Sequence, residues 1–498
     1  MSARTRQGVG ALLALVLALG ARTAAAAVAG TLEVTPRTLA APGGPIAAEA
    51  GVLWVPEHRG AGGSRPVRIE YLRLKSRSKS PRAPLFYLEG GPGSRGINER
   101  PDALAHWAPY LAIADVVLIN QRGTDDSLLT WRWDGPPPLS FFLDADSAAA
   151  HAAAMGRRAG EVFRARGVDL AGYTTIESAE DLDALRQALH AEKVSLLGFS
   201  YGTHLAIAYL RAHGAHVESA VLIGTEGPDD TMKLPWAMDT QFAKVGLLAA
   251  HDRRIASQVP DLLALYDRVI AKLAREPMLV TLPAPGGRDS LRVPVGPFGL
   301  RFILRIDVGD ATDLPVFPRL LWSIDQGEPS VLAWFVRKRA ALALGVHGMS
   351  ATMDEASGAS RGRRALIAEQ AKTSRFADVI DGVPSTGPPA WPVPDVGDAF
   401  RAPLVSDVRT LFISGELDFN TPPYQAEMVR WGMPNSTHLI VPNAGHEQTF
   451  IQNDTTPGVI CDFLAGHDVR DRKVSYPPLR FVPLEGTDPQ VGHPSVTR

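Results

Sequence analysis

The stretch Lys193–Leu210, KVSLLGFSYGTHLAIAYL, restricts what this chain can fold into more than any other segment. A β-like apolar run, Val194–Leu197, enters Gly198-Phe199-Ser200-Tyr201-Gly202. The run that leaves it carries Leu205, Ala208, Tyr209 and Ala212 at helical spacing. Strand, sharp turn and helix in that order lift the central side chain clear of both elements, as a serine nucleophile requires. Glycines on both sides permit the close backbone approach that so tight a turn demands. With 46 glycines in 498 residues, the five-residue pattern alone arises too easily to decide the matter. A base, an acid and oxyanion donors must stand elsewhere in the chain.

The rest of the composition sets bounds. A hydrophobic content of 45% and a charged content of 21% suit a globular protein with a large core. The formal net charge of −2, without a dense basic run, argues against a nucleic-acid partner. At the N-terminus Arg4 and Arg6 precede an apolar run, Val9–Leu19, and then the small-residue stretch Ala24–Ala29. That order describes a secretory signal peptide over residues 1–29, and the run is shorter than the ~20 residues of a spanning helix. Export to a periplasm or the medium is expected, with no membrane span after cleavage. Cys461 is the only cysteine, so the fold cannot rest on an internal disulfide. Its neighbours Val459, Ile460, Phe463 and Leu464 suggest a packed helix face and a structural thiol.

Strand signals at Gly51–Pro56, Val67–Leu74, Leu85–Leu88, Val116–Asn120, Val194–Leu197, Ala220–Ile223, Thr410–Ser414 and His438–Val441 alternate with helical patterns. The clearest helix is Ser178–His190, where Leu182, Leu185 and Leu189 recur behind Glu180 and Asp181. Short, continuously apolar strands alternating with helices predict an α/β fold with a mostly parallel sheet covered on both faces. From Asp229 to Phe400 the chain reads mainly helical, with one stripe of Leu262, Leu265, Tyr266, Val269, Ile270 and Leu273. The expected division is a core over 30–228, a helical cap over 229–400 between core strands six and seven, a second core part over 401–467, and a polar, Pro-rich tail over 468–498 that wraps the surface. Such a cap would close over the C-terminal ends of the strands, where α/β sheets hold their ligands.

A serine hydroxyl needs a base, and an imidazole base needs a carboxylate to fix its tautomer. The order serine, acid, histidine is met by Asp418, beyond the strand ending Ile413-Ser414, and by His446, beyond the last strand. Glu416 and Glu226 are alternative acids. His204, one turn into the helix after Ser200, reads as a packing histidine. The Glu89-Gly90-Gly91-Pro92-Gly93 loop follows strand Leu85–Leu88, and the N–H groups of Gly91 and Tyr201 are the expected oxyanion donors, with Gly90 as neighbour. Arg122, after the fourth strand, is expected to pin Asp125 or Asp126 in a surface ion pair.

Together GGPG at 90–93, NQRGTDDS at 120–127, YTTIESAEDLDALRQAL at 173–189, GFSYGTHLAIAYL at 198–210, GELDFNTP at 415–422 and AGH at 444–446 resemble the prolyl iminopeptidases and secreted tripeptidyl aminopeptidases of the α/β-hydrolase fold. The resemblance covers about residues 50–228 and 400–465 and leaves the cap unmatched. It implies triad roles for Ser200, Asp418 and His446, an oxyanion hole in the glycine loop, cleavage of short peptides from a free N-terminus, and no metal or organic cofactor. Departures are Thr203, where many relatives carry glycine, Glu226 in GTEGP, and Trp391 where some secreted relatives have cysteine. A carboxylesterase acting on a small ester is the alternative reading. A catalytically inactive binding module is the remaining reading. An aminopeptidase also needs an anion for the substrate ammonium, for which Glu226 and Glu89 are the candidates.

Overall fold

Continuously apolar segments form the middle of a large sheet in the computed structural model, which describes residues 28–124, 127–284, 289–307, 313–381 and 391–485. The expected signal peptide up to residue 27, Asp125, Asp126 and the last part of the tail lie outside the described residues. Along the chain the strands are β1 (Leu32–Leu39), β2 (Ile46–Pro56), β3 (Pro66–Leu74), β4 (Leu85–Leu88), β5 (Val116–Asn120), β6 (Thr130–Arg132), β7 (Val194–Phe199), β8 (Val217–Ile223), β9 (Met278–Pro283), β10 (Ser290–Val295), β11 (Gly345–His347), β12 (Arg409–Gly415) and β13 (Ser436–Val441). Nine of them make one sheet in the order β1-β2-β3-β5-β4-β7-β8-β12-β13. The pairs from β5 across to β13 are parallel, and β1, β2 and β3 extend the sheet in antiparallel fashion.

Every residue of β4, β5 and β7 is buried, as expected of strands covered on both faces. One face packs against the helices Ala145–Ala165, Thr175–Ala188 and Tyr201–His213, and the other against Pro101–Trp107 and Thr456–Leu464. Helix Thr175–Ala188 starts earlier than the leucine spacing predicts, because the Thr174 side chain caps it by accepting the Glu177 N–H.

Three features differ from the sequence expectation. β1 is an additional strand, so the cap follows the seventh sheet strand instead of the sixth. Nearly all of its residues are exposed, and an edge strand held by pairing alone leaves no apolar period to read. The cap is not helical throughout: β9 and β10 form an antiparallel pair, and β11 pairs with β6 of the core-side segment. Within β9 only Val280 and Leu282 point inward, too short an alternation to stand out among helices. The tail does more than wrap the surface. Val469 and Val474 are buried with the sheet, and Phe481, Val482 and Leu484 are buried in the core of the cap. The Val482 N–H donates to the Pro315 carbonyl at 3.1 Å, so the tail straps the two layers together.

Arg122 is also placed differently. Its guanidinium is fully buried and grips Asp181 with two bonds of 2.7 Å, while Nη1 donates to the carbonyls of Glu57 and Gly172. The reach from the end of β5 to helix Thr175–Ala188 makes this an interior clamp between distant segments rather than a surface pair. Removing one member of a buried pair strands the other charge. Arg122→Met is therefore expected to destabilise the protein by about 3–5 kcal/mol, measured by urea denaturation, whereas a loss under 1 kcal/mol contradicts the clamp.

Candidate active site

The parallel register sends five loops out of the same sheet edge. Leu88 pairs with Gly198, Phe199 with Ile223, Ile413 with Ile223, and Gly415 with Val441. Glu89–Gly91, Ser200, Gly224–Glu226, Glu416–Asp418 and Pro442–His446 consequently emerge side by side.

Ser200 has φ 56° and ψ −129°, a conformation that a side-chain-bearing residue adopts only under constraint. The constraint is visible. The Ser200 N–H donates to the Ile223 carbonyl at 2.9 Å, and the Ser200 carbonyl accepts from the N–H and hydroxyl of Thr203 at 2.8 and 2.7 Å. Helix Tyr201–His213 starts so close to β4 that a methyl group on Gly202 would lie 1.9 Å from the Leu88 carbonyl oxygen. Thr203, where glycine was the commoner expectation, also accepts the Glu226 N–H at 2.7 Å and thus ties the elbow to the end of β8.

His446 lies against Gly224, the residue after Ile223, and its ring packs on Phe199 at 4.9 Å between centroids. Nδ1 of His446 donates to Asp418 Oδ2 at 2.7 Å. Asp418 is fully buried and fully engaged: Oδ1 accepts the N–H groups of Asn420 and Thr421, and Oδ2 accepts the Thr421 hydroxyl at 2.8 Å. Burial opposes both charges, yet their mutual attraction holds the pKa of Asp418 below and that of His446 above their ordinary values. Nε2 of His446 has no hydrogen-bond partner among the described residues, Ser200 Oγ included. Such contacts often tighten only when substrate binds. Thr421 was not singled out from the sequence, although D-x-x-T after a strand is the pattern of an Asp side chain bonding its own turn.

Across the nucleophile, Gly90 abuts Ser200: a methyl group on it would lie 2.6 Å from Ser200 Cβ. The Gly90 N–H is taken by the Glu89 carboxylate at 2.9 Å. The N–H groups of Gly91 and Tyr201 donate to no acceptor among the described residues, so they remain for an incoming oxyanion.

The family model described as alpha/beta hydrolase fold matches residues 83–451, more than half of the chain. The chain belongs to the α/β-hydrolase family. Among curated proteins this α/β-hydrolase is similar to a tripeptidyl aminopeptidase of Streptomyces lividans, 31% identical over 157 residues, which are 29% of this chain and 28% of the relative. It is also similar to the serine protease Hip1 of Mycobacterium tuberculosis, 40% identical over 60 residues, 12% of each chain. The matches thus span less than a third of those relatives' lengths. A proline iminopeptidase structure from Mycobacterium smegmatis aligns with 87% of this chain and 99% of its own at 14% identity and a TM-score of 0.38.

The remaining candidates of this α/β-hydrolase are all placed. Glu416 points away from the imidazole, its carboxylate accepting the Asn443 N–H at 3.1 Å. His204 is buried between the Gly227 carbonyl and the Ser357 hydroxyl, where burial lowers its pKa, a packing role as expected. Glu226 is buried and paired with Lys233 at 2.6 Å. Burial works against its charge, but Lys233, followed by His204, keeps its pKa below the ordinary value. Glu89 turns inward to Tyr87 and Gly90 and is not offered to a ligand. Cys461 packs at the edge of the sheet cluster, and burial pushes its thiol up to about 11, which makes it a poor nucleophile.

Asp354, from the cap helix Gly348–Ser357, was not foreseen. Solvent reaches it, yet protein surrounds it, and its carboxylate accepts no hydrogen bond from the described residues. Desolvation, followed by repulsion from Glu226, pushes its pKa up to about 8. Lys233 lies within electrostatic reach of Glu226, Asp354 and His446, and Arg363 also acts on Glu226. Among the described residues no group of three or more His, Cys, Asp and Glu has the arrangement of a metal site, and no helix is long and apolar enough to cross a membrane.

Proposed function

We propose that this chain is an exported serine aminopeptidase that releases short peptides or single residues from free N-termini. The observation that carries this reading is the Asp418–His446 pair, set at the same sheet edge as a serine held in a strained turn. His446 takes the Ser200 proton as Oγ attacks a peptide carbonyl, and Asp418 fixes the imidazole tautomer and stabilises the imidazolium. The Gly91 and Tyr201 N–H groups bind the oxyanion of the tetrahedral intermediate. His446 then returns the proton to the leaving amine, and water hydrolyses the acyl-enzyme by the same steps.

Three lines support the finer parts of the proposal. The similar curated proteins are named as a tripeptidyl aminopeptidase and a serine protease. The Arg-flanked apolar segment and small-residue run of residues 1–29 have the order of a secretory signal. The Asp354 carboxylate, which burial and the repulsion of Glu226 disfavour, suits a substrate ammonium that would offset that repulsion. Because Lys233 already occupies Glu226, Asp354 is the better anchor.

The test is a panel of amino-free and amino-blocked peptidyl chromogenic amides and a short acyl ester, with the mature chain and Asp354→Asn. Selective cleavage of amino-free amides is expected, with KM raised about tenfold in Asp354→Asn through loss of one charge-assisted contact. Cleavage of the ester alone would replace the proposal by a carboxylesterase. Turnover of no substrate would leave a binding module.

A further inference from the structure

Glu89 is a half-buried carboxylate for which the proposed chemistry has no task. Its backbone sits against the elbow, and its carbonyl accepts Gln121 Nε2 at 2.9 Å. Its side chain folds back under the glycine loop, where Oε2 accepts the Tyr87 hydroxyl at 2.7 Å and Oε1 accepts the Gly90 N–H at 2.9 Å. Both donors favour the anion. Gly90 is the residue that abuts Ser200, so the carboxylate fixes the loop at the point where it meets the nucleophile.

The same carboxylate lies within electrostatic reach of His446. The charged and titratable groups facing the imidazole from other positions are Asp418, Glu447 and Lys233. Those facing Glu89 are Tyr87, Glu447 and His446.

We propose that Glu89 is a positioning residue that acts as an anion, holding the oxyanion loop through Gly90 and stabilising the His446 imidazolium formed when Ser200 attacks. The proposal rests on the serine-hydrolase reading above. It gives Glu89 a different role from that of a substrate ligand, and it makes the acid side of the activity profile belong to two groups. Burial raises the pKa of Glu89, and Glu447 pushes it the same way, while Tyr87 and Gly90 oppose the rise. Activity needs Glu89 ionised and His446 neutral, so it falls as pH drops through both.

Glu89→Gln keeps an acceptor for Gly90 but removes the charge. Two readouts on the full mature chain separate the possibilities: an NMR titration of the His446 ring in a Ser200→Ala background, and the pH profile of Ser200 phosphonylation by a fluorophosphonate, in which the Oγ–P bond forms, the P–F bond breaks with release of fluoride, and His446 takes the Ser200 proton. The expected result is a His446 pKa lower by about 0.5 unit and a plateau phosphonylation rate lower by about fivefold, with unchanged initial binding of the reagent. An unchanged ring titration with an unchanged plateau overturns the proposal and leaves Glu89 a structural acid. If Glu89→Gln does not fold, Tyr87→Phe removes one donor to the anion and moves the acid limb up by about 0.5 unit; an unmoved limb overturns the proposal. A parent chain that never reacts with the fluorophosphonate defeats the hydrolase reading, whereas the ring titration still decides whether Glu89 and His446 are coupled.

Discussion

Ser200→Ala is expected to lower kcat/KM by about 10⁴–10⁶-fold on whichever substrate the parent cleaves, with a folded protein of near-parental melting temperature. The threonine hydroxyls nearest in sequence to Ser200 and Asp418 are engaged elsewhere. Thr203 is turned back to the Ser200 carbonyl and the Glu226 N–H, and Thr421 is spent on Asp418. Cys461 packs against the cluster on the opposite sheet face from the elbow helix, and burial raises its thiol pKa to about 11. The substitution leaves the turn's backbone contacts in place, because they run through the N–H and carbonyl of residue 200 and not its side chain. Activity in the variant within tenfold of the parent would remove Ser200 from the mechanism.

Asp418→Asn is expected to lower kcat by about 10⁴-fold at neutral pH. The reason lies in the four hydrogen bonds that the carboxylate accepts. Both oxygens are used, from the Asn420 and Thr421 N–H groups on one and from Thr421 Oγ and His446 Nδ1 on the other. An amide can satisfy the two backbone donors with its oxygen, but it then presents an NH₂ group to the imidazole. His446 must place its proton on Nε2 to accept that contact, which takes away the lone pair needed by Ser200. The imidazolium of the transition state also loses its buried counter-charge. Because Asp418 raises the pKa of His446 despite burial, the variant's residual activity is expected to have its acid limb at lower pH than the parent. A kcat within tenfold of the parent, measured with the same substrate across pH 5–9, would show that another acid serves the histidine.

The parts of the site that were legible in the sequence have a common cause. Ser200, the glycine loop and His446 each follow a short apolar strand directly, so finding the strand finds the residue. Asp418 was separable from Glu416 only by preference. What distinguishes them is the turn after β12, which folds Asp418 back onto Thr421 and directs Glu416 toward Asn443. Glu226 and Glu89 stand in the sequence as candidates for either an ammonium ligand or a structural acid, because a sequence shows their position on loops but not who faces them. Lys233 is seven residues from its partner, and the Tyr87 hydroxyl and Gly90 N–H lie within two residues of Glu89. Arg122 failed for the opposite reason, since its partner Asp181 is 59 residues away on a helix.

The amino-acid sequence by itself determined the parallel core and the order of the catalytic candidates. Apolar strand runs, helical periods and turn glycines are local properties, and a parallel register carries them to one edge of the sheet. Only the tertiary structure decided the surroundings of those residues. The Lys233–Glu226 pair, the placing of Asp354 within reach of Glu226, the inward turn of Glu89 and the strapping of cap to core by the tail all depend on side chains that meet from distant or irregular segments. Such meetings are selected by burial and charge complementarity, which leave no period in the sequence to read.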